Sequence, residues 1–258
     1  MFALSNITSI TIPGTVTSIG RNVFDACSAL TTLTFGESET PLVIMGQGDS
    51  DGPFYDSPLT TINYNRNFTY MEVDGEDERT YDDDSDGILA ISEEARDKVT
   101  TTSTVNIGDL IQNIPDRMFC NLSITELTIP ASVTSFGGAP FYGCKSLKKV
   151  VILGKTTASN MFAGCSSMKE IVLTGKLETI AEKTFNGVSS TKFTIYYTGT
   201  DYERVKTIGA ESGDGSSRFT SAKYYAYGDY ESGNYTDSKY LFISGKSSKD
   251  YMESIDRP

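Results

Sequence analysis

The chain contains no histidine and no tryptophan among its 258 residues. Without histidine, Ser-His and Cys-His nucleophilic pairs, His-ligated zinc and the usual proton shuttle near neutral pH are excluded. Four cysteines are too few for a disulfide-rich scaffold of this length. No run approaches the roughly 18 consecutive apolar residues of a membrane-spanning helix. The opening MFALSNITSI lacks the basic and apolar regions of a signal peptide, which a mature or trimmed form would also lack, so this does not establish a cytoplasmic origin. Cations are scarce: 22 Lys and Arg face 34 Asp and Glu, a net charge of -12. That balance argues against nucleic acid or an anionic membrane as partner. Catalytic signatures are missing too. Gly245-Lys246-Ser247 and Gly154-Lys155-Thr156 end like phosphate loops, but Tyr240 and Lys149 stand where the first glycine is required. No G-x-S-x-G and no zinc-ligand spacing occurs, and an enzyme is not expected.

What is present is a repeat, and repeats decide the architecture first. ITIPGTVTSIGRNVFDACSAL at 10–30 returns as LTIPASVTSFGGAPFYGCKSL at 127–147. Leucine-rich spacing, L-x-x-L-x-L, runs through Ile7/Ile10/Ile12, Leu30/Leu33/Phe35, Leu59/Ile62/Tyr64, Ile124/Leu127/Ile129, Leu147/Val150/Ile152 and Met168/Ile171/Leu173. Ser190/Phe193/Ile195 is a degenerate last copy. Successive central positions differ by 23, 29, 65, 23, 21 and 22 residues, and the step of 65 reads as one rung plus an insertion. Alternation places Leu127, Ile129 and Val133 inward, and Thr128 and Ser132 toward solvent. Phe24, Phe54, Phe119, Phe141, Phe162 and Phe185 keep the same register. With Gly143-Cys144, Gly164-Cys165 and Gly187 they suggest tight helical or 3₁₀ turns that pack the rings inward. Cys27, Cys144 and Cys165 share one repeat position, read as a small buried slot. Stacked rungs bury a continuous core that one rung cannot bury alone. The chain reads as beginning mid-rung, with either a preceding segment or self-association covering that end.

These copies resemble the BspA-like leucine-rich repeat family of surface proteins, closely at 10–30 and 127–147 and across about two thirds of the chain. The resemblance implies a leucine-rich repeat solenoid of short parallel β-strands with tight turns. It also implies a right-handed superhelix, a secreted or cell-surface location, and binding of protein or glycan rather than catalysis. The expected divisions are repeats at 1–64, an acidic insertion at 65–104, repeats at 105–195, and a Tyr-rich β/α cap with a polar exit at 196–258. A structural spacer within a larger surface protein is the alternative role.

The insertion carries the one metal-type motif. Residues 82–93 satisfy D-x-D-x-D-G-x₅-E. In such a loop Asp82, Asp84 and Asp86, the Ile88 carbonyl and a bidentate Glu93 converge on Ca²⁺, and Gly87 allows the sharp turn. The loop resembles those of EF-hands and dockerins. Ser92 would cap an exiting helix, but no entering helix precedes it. The expected cofactor is therefore one structural Ca²⁺, with a solvated acidic loop as the alternative. The tail gathers Tyr196, Tyr197, Tyr202, Tyr224, Tyr225 and Tyr227 among others. They read as cover for the open end of the core or as a recognition surface.

Overall fold

The computed structural model describes residues 2–20, 23–46, 53–54, 57–72, 103–174, 176–189 and 193–197, then positions 205, 207, 208, 219, 222–226 and 241–242; at 45–46, 70–72, 223–226 and 241–242 only the backbone is described. In chain order the strands are β1 Ser9–Ile12, β2 Ser18–Ile19, β3 Thr32–Phe35, β4 Leu42–Gly46, β5 Thr61–Tyr64, β6 Phe68–Glu72, β7 Thr104–Ile107, β8 Asn113–Ile114, β9 Glu126–Ile129, β10 Ser135–Phe136, β11 Lys149–Ile152, β12 Glu170–Leu173, β13 Thr194–Tyr197, β14 Lys223–Ala226 and β15 Leu241–Phe242. Helix among the described residues is confined to positions near 205–208 and 219.

The main strands form a parallel ladder, β1-β3-β5-β7 followed by β9-β11-β12-β13-β14. A bridge between Ser103 and Ile124 joins the two runs. Alternation works as expected: Leu127, Ile129 and Val133 are buried, and Thr128 is exposed. Ser132 departs from this, since its hydroxyl is shielded from solvent. Two register expectations are corrected. Ile195, not Phe193, pairs with Ile171; both are apolar and two apart, so both satisfy a period of two. The long step between Ile62 and Leu127 holds two rungs, because Val105 on β7 pairs with Ile62. Residues 65–72, read above as insertion, carry β6, which pairs with β4.

A second side of the rungs that carry β1 to β9 is built from β2-β4-β6 and β10-β8. The third side is the Phe turn. Phe2, Phe24 and Phe54 stack at 5.5 and 5.1 Å, and Phe119, Phe141, Phe162 and Phe185 at 5.4, 5.7 and 5.7 Å. Expected helical turns are absent from the described Phe segments, for a local reason. Two left-handed residues bracket the ring. Two positions before it stand Arg117, Ala139, Asn160 and Lys183, and two positions after it Leu4, Ala26, Asn121, Gly143, Gly164 and Gly187, all with positive φ. A right-handed helical turn does not tolerate them. Gly143 and Gly164 adopt φ near +70° without the steric cost of a Cβ.

The left-handed turns aim backbone N–H groups along the stacking axis. Arg117, Phe119 and Asn121 donate to the carbonyls of Gly138, Pro140 and Tyr142, and Ala139, Phe141 and Gly143 to those of Ser159, Met161 and Ala163. Among the described residues the rung-to-rung backbone bonds on this side run from one rung to the next in chain order. Between β6 and β7 the chain passes through 73–102, where the pattern calls for a Phe turn. Phe54 is linked to Phe119 instead through Phe35, Phe68 and Tyr64, with ring separations of 6.2, 4.6, 4.9 and 5.6 Å.

Arg66, which nothing in the repeat pattern marks out, is fully buried. Its Nη1 donates to the Val16 carbonyl at 2.7 Å and its Nη2 to the Thr40 carbonyl at 2.6 Å, with the Pro13 carbonyl at 3.5 Å. One guanidinium thus ties the corners of three successive rungs. Arg66→Met should lower unfolding free energy by at least about 2 kcal/mol, because buried carbonyls lose charged donors. A solvated surface arginine would stay within about 0.5 kcal/mol, so denaturant titration separates the two cases. Phe162→Ala, in the middle of the four-ring stack, should cost about 3–5 kcal/mol by the same measurement.

Candidate interaction surface

Of the expected calcium ligands, Asp82, Asp84, Asp86, Ile88 and Glu93 all lie outside the described residues. Among the described residues no group of three or more His, Cys, Asp or Glu is placed to hold a metal. Tyr197 is buried and Tyr196 half-buried; the side chains of Tyr202, Tyr224, Tyr225 and Tyr227 are outside the description.

All four cysteines are free and buried. Three of them explain the repeat position. The thiols of Cys27, Cys144 and Cys165 donate to the carbonyls of Phe2, Phe119 and Phe141 in the preceding rung, at 3.1–3.3 Å. Ser57 replaces the thiol with a hydroxyl that donates to the Phe24 carbonyl at 2.7 Å. The column is structural: a small donor returns a bond against the direction of the N–H ladder. Burial pushes the Cys120 and Cys144 thiols well above their usual range, and the Cys165 thiol beside Cys144 adds to it.

What remains for interaction is the outward face of the main ladder. Parallel in-register pairing makes it two columns of side chains. The first reads Ser9, Thr32, Thr61, Thr104, then Glu126, Lys149, Glu170, Thr194. The second reads Thr11, Thr34, Asn63, Asn106, then Thr128, Val151, Val172, Tyr196. Over β1 to β7 every outward residue is Ser, Thr or Asn. The amides are held in line: Asn106 Nδ2 donates to Asn63 Oδ1 at 2.8 Å, and Asn63 Nδ2 to Thr34 Oγ1 at 2.9 Å. From β9 onward one column alternates in charge and the other turns apolar. Val151 and Val172 are buried on this outer side, with Leu153 and Tyr196 packed against them.

Short parallel strands in register, a turn-borne ring stack and a buried Leu/Ile core define a leucine-rich-repeat β-solenoid. The chain belongs to the BspA type leucine rich repeat region family, whose repeat matches residues 1–74 and 86–209 in 6 copies. No curated protein matches. Among solved structures it is similar to a leucine-rich repeat protein from Bacteroides ovatus, at 20% identity and a TM-score of 0.41, covering 74% of this chain and 39% of that one. It is also similar to a leucine rich cell surface protein from Faecalibacterium prausnitzii, at 18% identity and a TM-score of 0.33, covering 81% and 63%. The pneumococcal vaccine antigen PcpA is 17% identical with a TM-score of 0.37, covering 84% and 68%. The chain thus spans well under half of the Bacteroides protein. No helix among the described residues is long and apolar enough to cross a membrane.

The thiols give a pH prediction with a definite sign. Folded Cys120 and Cys144 keep their protons above pH ~8.5, where unfolded thiols release them. The unfolded state then binds fewer protons, so stability falls as pH rises past about 8.5. Burial also raises Tyr64, which adds a loss of the same sign above pH ~10. The Tm measured from pH 7 to 10.5 should decline from the first threshold. At pH 8 a thiol reagent should label none of the four cysteines until denaturant is added; immediate labelling would contradict the buried column.

Proposed function

We propose that this chain is a non-enzymatic, secreted or surface-displayed repeat protein that binds protein or glycan ligands in the manner of an adhesin. The observation that supports this reading is the outward face of the main ladder. Its inward columns are committed to the core, whereas its outward columns change from a neutral Ser/Thr/Asn grid to a column of alternating charge beside the buried Val151 and Val172. Extended ladders of this kind offer long, shallow binding surfaces. Surface location is supported by the family. Pull-down from extracellular protein mixtures and a glycan array should each be run with the folded chain. Absence of any saturable ligand in both would sink the binding reading.

The acidic segment is proposed as a structural calcium site, with Asp82, Asp84, Asp86, the Ile88 carbonyl and Glu93 as ligands. The segment lies between β6, which ends at Glu72, and the bridge at Ser103, so an ion bound there would sit beside the ladder. The segment after β13 is proposed as the cap of the ladder: Val205 and Phe219 are buried, Phe219 lies 5.7 and 5.6 Å from Phe185 and Phe193, and β15 closes β14 in antiparallel sense. Calorimetric titration with Ca²⁺ should show heat and a raised Tm, both lost in Asp82→Ala. No heat and no shift in the unaltered chain would remove the calcium site while leaving the binding reading intact.

A further inference from the structure

The net charge of -12 is not evenly spread. Residues 105–197 hold nine Lys and Arg against six Asp and Glu, so this half of the ladder is +3. Several of these cations converge at one edge, where the Phe turn hands the chain to the main strand. The residue just before each strand is Thr31, Thr60, Ser103 or Thr125 up to β9, then Lys148 before β11 and Lys169 before β12. The two lysines are neighbours along the axis: the Lys169 N–H donates to the Lys148 carbonyl at 3.0 Å, and the Lys148 N–H to the Thr125 carbonyl at 2.8 Å. Rungs are about 4.8 Å apart, so these two lysines project from one line along the ladder axis.

Lys145, Lys148 and Lys169 are exposed, and Lys149 is half-buried. Lys149 lies in register between Glu126 and Glu170, the carboxylates nearest in the sheet. Ser146, Ser166 and Ser167 fill the rest of the two edge segments, Lys145–Lys148 and Ser166–Lys169, apart from the buried Leu147 and Met168. The edge therefore presents ammonium groups and hydroxyls, with no apolar socket of the kind a peptide side chain would use. By contrast Lys155, on the far end of the strand, is already paired with Glu178 at 3.0 Å.

We infer that the Lys145, Lys148 and Lys169 edge binds an acidic polysaccharide laid along the ladder axis. Ammonium groups at one-rung spacing meet carboxylate or sulfate groups that recur along such a polymer, and the serine hydroxyls meet its sugar hydroxyls. The inference rests on the proposed binding role and narrows its ligand. It also revises the exclusion drawn from total charge: repulsion from the acidic remainder weakens with distance through screening, whereas contacts at the edge do not.

The test is calorimetric titration of the full chain with polygalacturonate and with heparin, which separate carboxylate from sulfate recognition, and with neutral dextran. At least one acidic polymer should bind and dextran should not. Affinity should fall about tenfold or more between 50 and 200 mM salt. Lys148→Gln with Lys169→Gln should weaken binding at least about fivefold without changing Tm, and Lys155→Gln should leave it unchanged. Failure of both polymers at low salt, or binding indifferent to the double variant, would overturn the assignment. So would equal binding of poly-glutamate or double-stranded DNA, since either would mark a generic polyanion or acidic-protein surface. A protein or neutral glycan captured equally by wild type and double variant would preserve the binding role and overturn this site alone.

Discussion

Everything in this molecule depends on stacking equal rungs in register. Strand pairing sets a step of about 4.8 Å, and the other two sides must keep to it. Flat rings cannot stack face to face at that step and slope unchanged, so the phenylalanines sit offset, with centroids 5.4–5.7 Å apart and planes 12–19° from parallel in the second run. The turn side solves the same problem with left-handed residues on both sides of each ring, which point N–H groups at the next rung. Those bonds leave the carbonyls of Phe2, Phe24, Phe119 and Phe141 facing the following rung with an acceptor site, and a thiol or hydroxyl from Cys27, Ser57, Cys144 or Cys165 fills it. A cysteine column in such a place is a hydrogen-bonding device of the stack, with no call on thiolate chemistry.

The constraint is most visible where it is broken. Residues 73–102 between β6 and β7 contain no Phe, and the described ring stack has a gap between Phe54 and Phe119. Phe35, Phe68 and Tyr64 turn edge-on to fill it, and the Tyr64 hydroxyl donates to the Asn113 carbonyl at 2.9 Å. On the second side the break falls between β6 and β8. There the Asn67 side chain does the pairing, its Oδ1 accepting from the N–H groups of Gln112 and Asn113. Arg66, one residue earlier, binds the corners of the rungs before the break. The cost of interrupting the ladder is thus met by a cluster of polar and aromatic side chains in residues 64–68.

How much of this was legible follows from which columns repeat. Inward columns are chemically uniform, so Leu127, Val150 and Ile171 announce themselves, as do the phenylalanines. The repeat block is legible from 105, but the β7 rung within it is faint, because TVNI offers one strong apolar residue, Val105, after a long unrelated segment. The register of the last rung slipped by two because Phe193 and Ile195 both fit an inward position. Arg66 was unreadable in principle: a charged residue among asparagines looks solvated until three carbonyls are seen around it. The left-handed pairs were half legible, since Gly143, Gly164 and Gly187 mark one position, while Arg117, Ala139, Asn160 and Lys183 share no chemistry at the other.

Outward columns teach the opposite lesson. Folding requires of them only that they tolerate a neighbour 4.8 Å away, so their chemistry is free to vary and any order in them calls for a further cause. Ser, Thr and Asn fill all eight outward positions of β1 to β7, and among the described residues lysine enters the edge beside β11 and β12. A whole-chain sum averages these regions with the acidic segment and reports one strongly negative protein. The ladder reports position instead. Because a repeat fold holds each residue at a known height on a known side, charge in such a protein is better counted by column than by chain, and a partner excluded by the total can still match one edge.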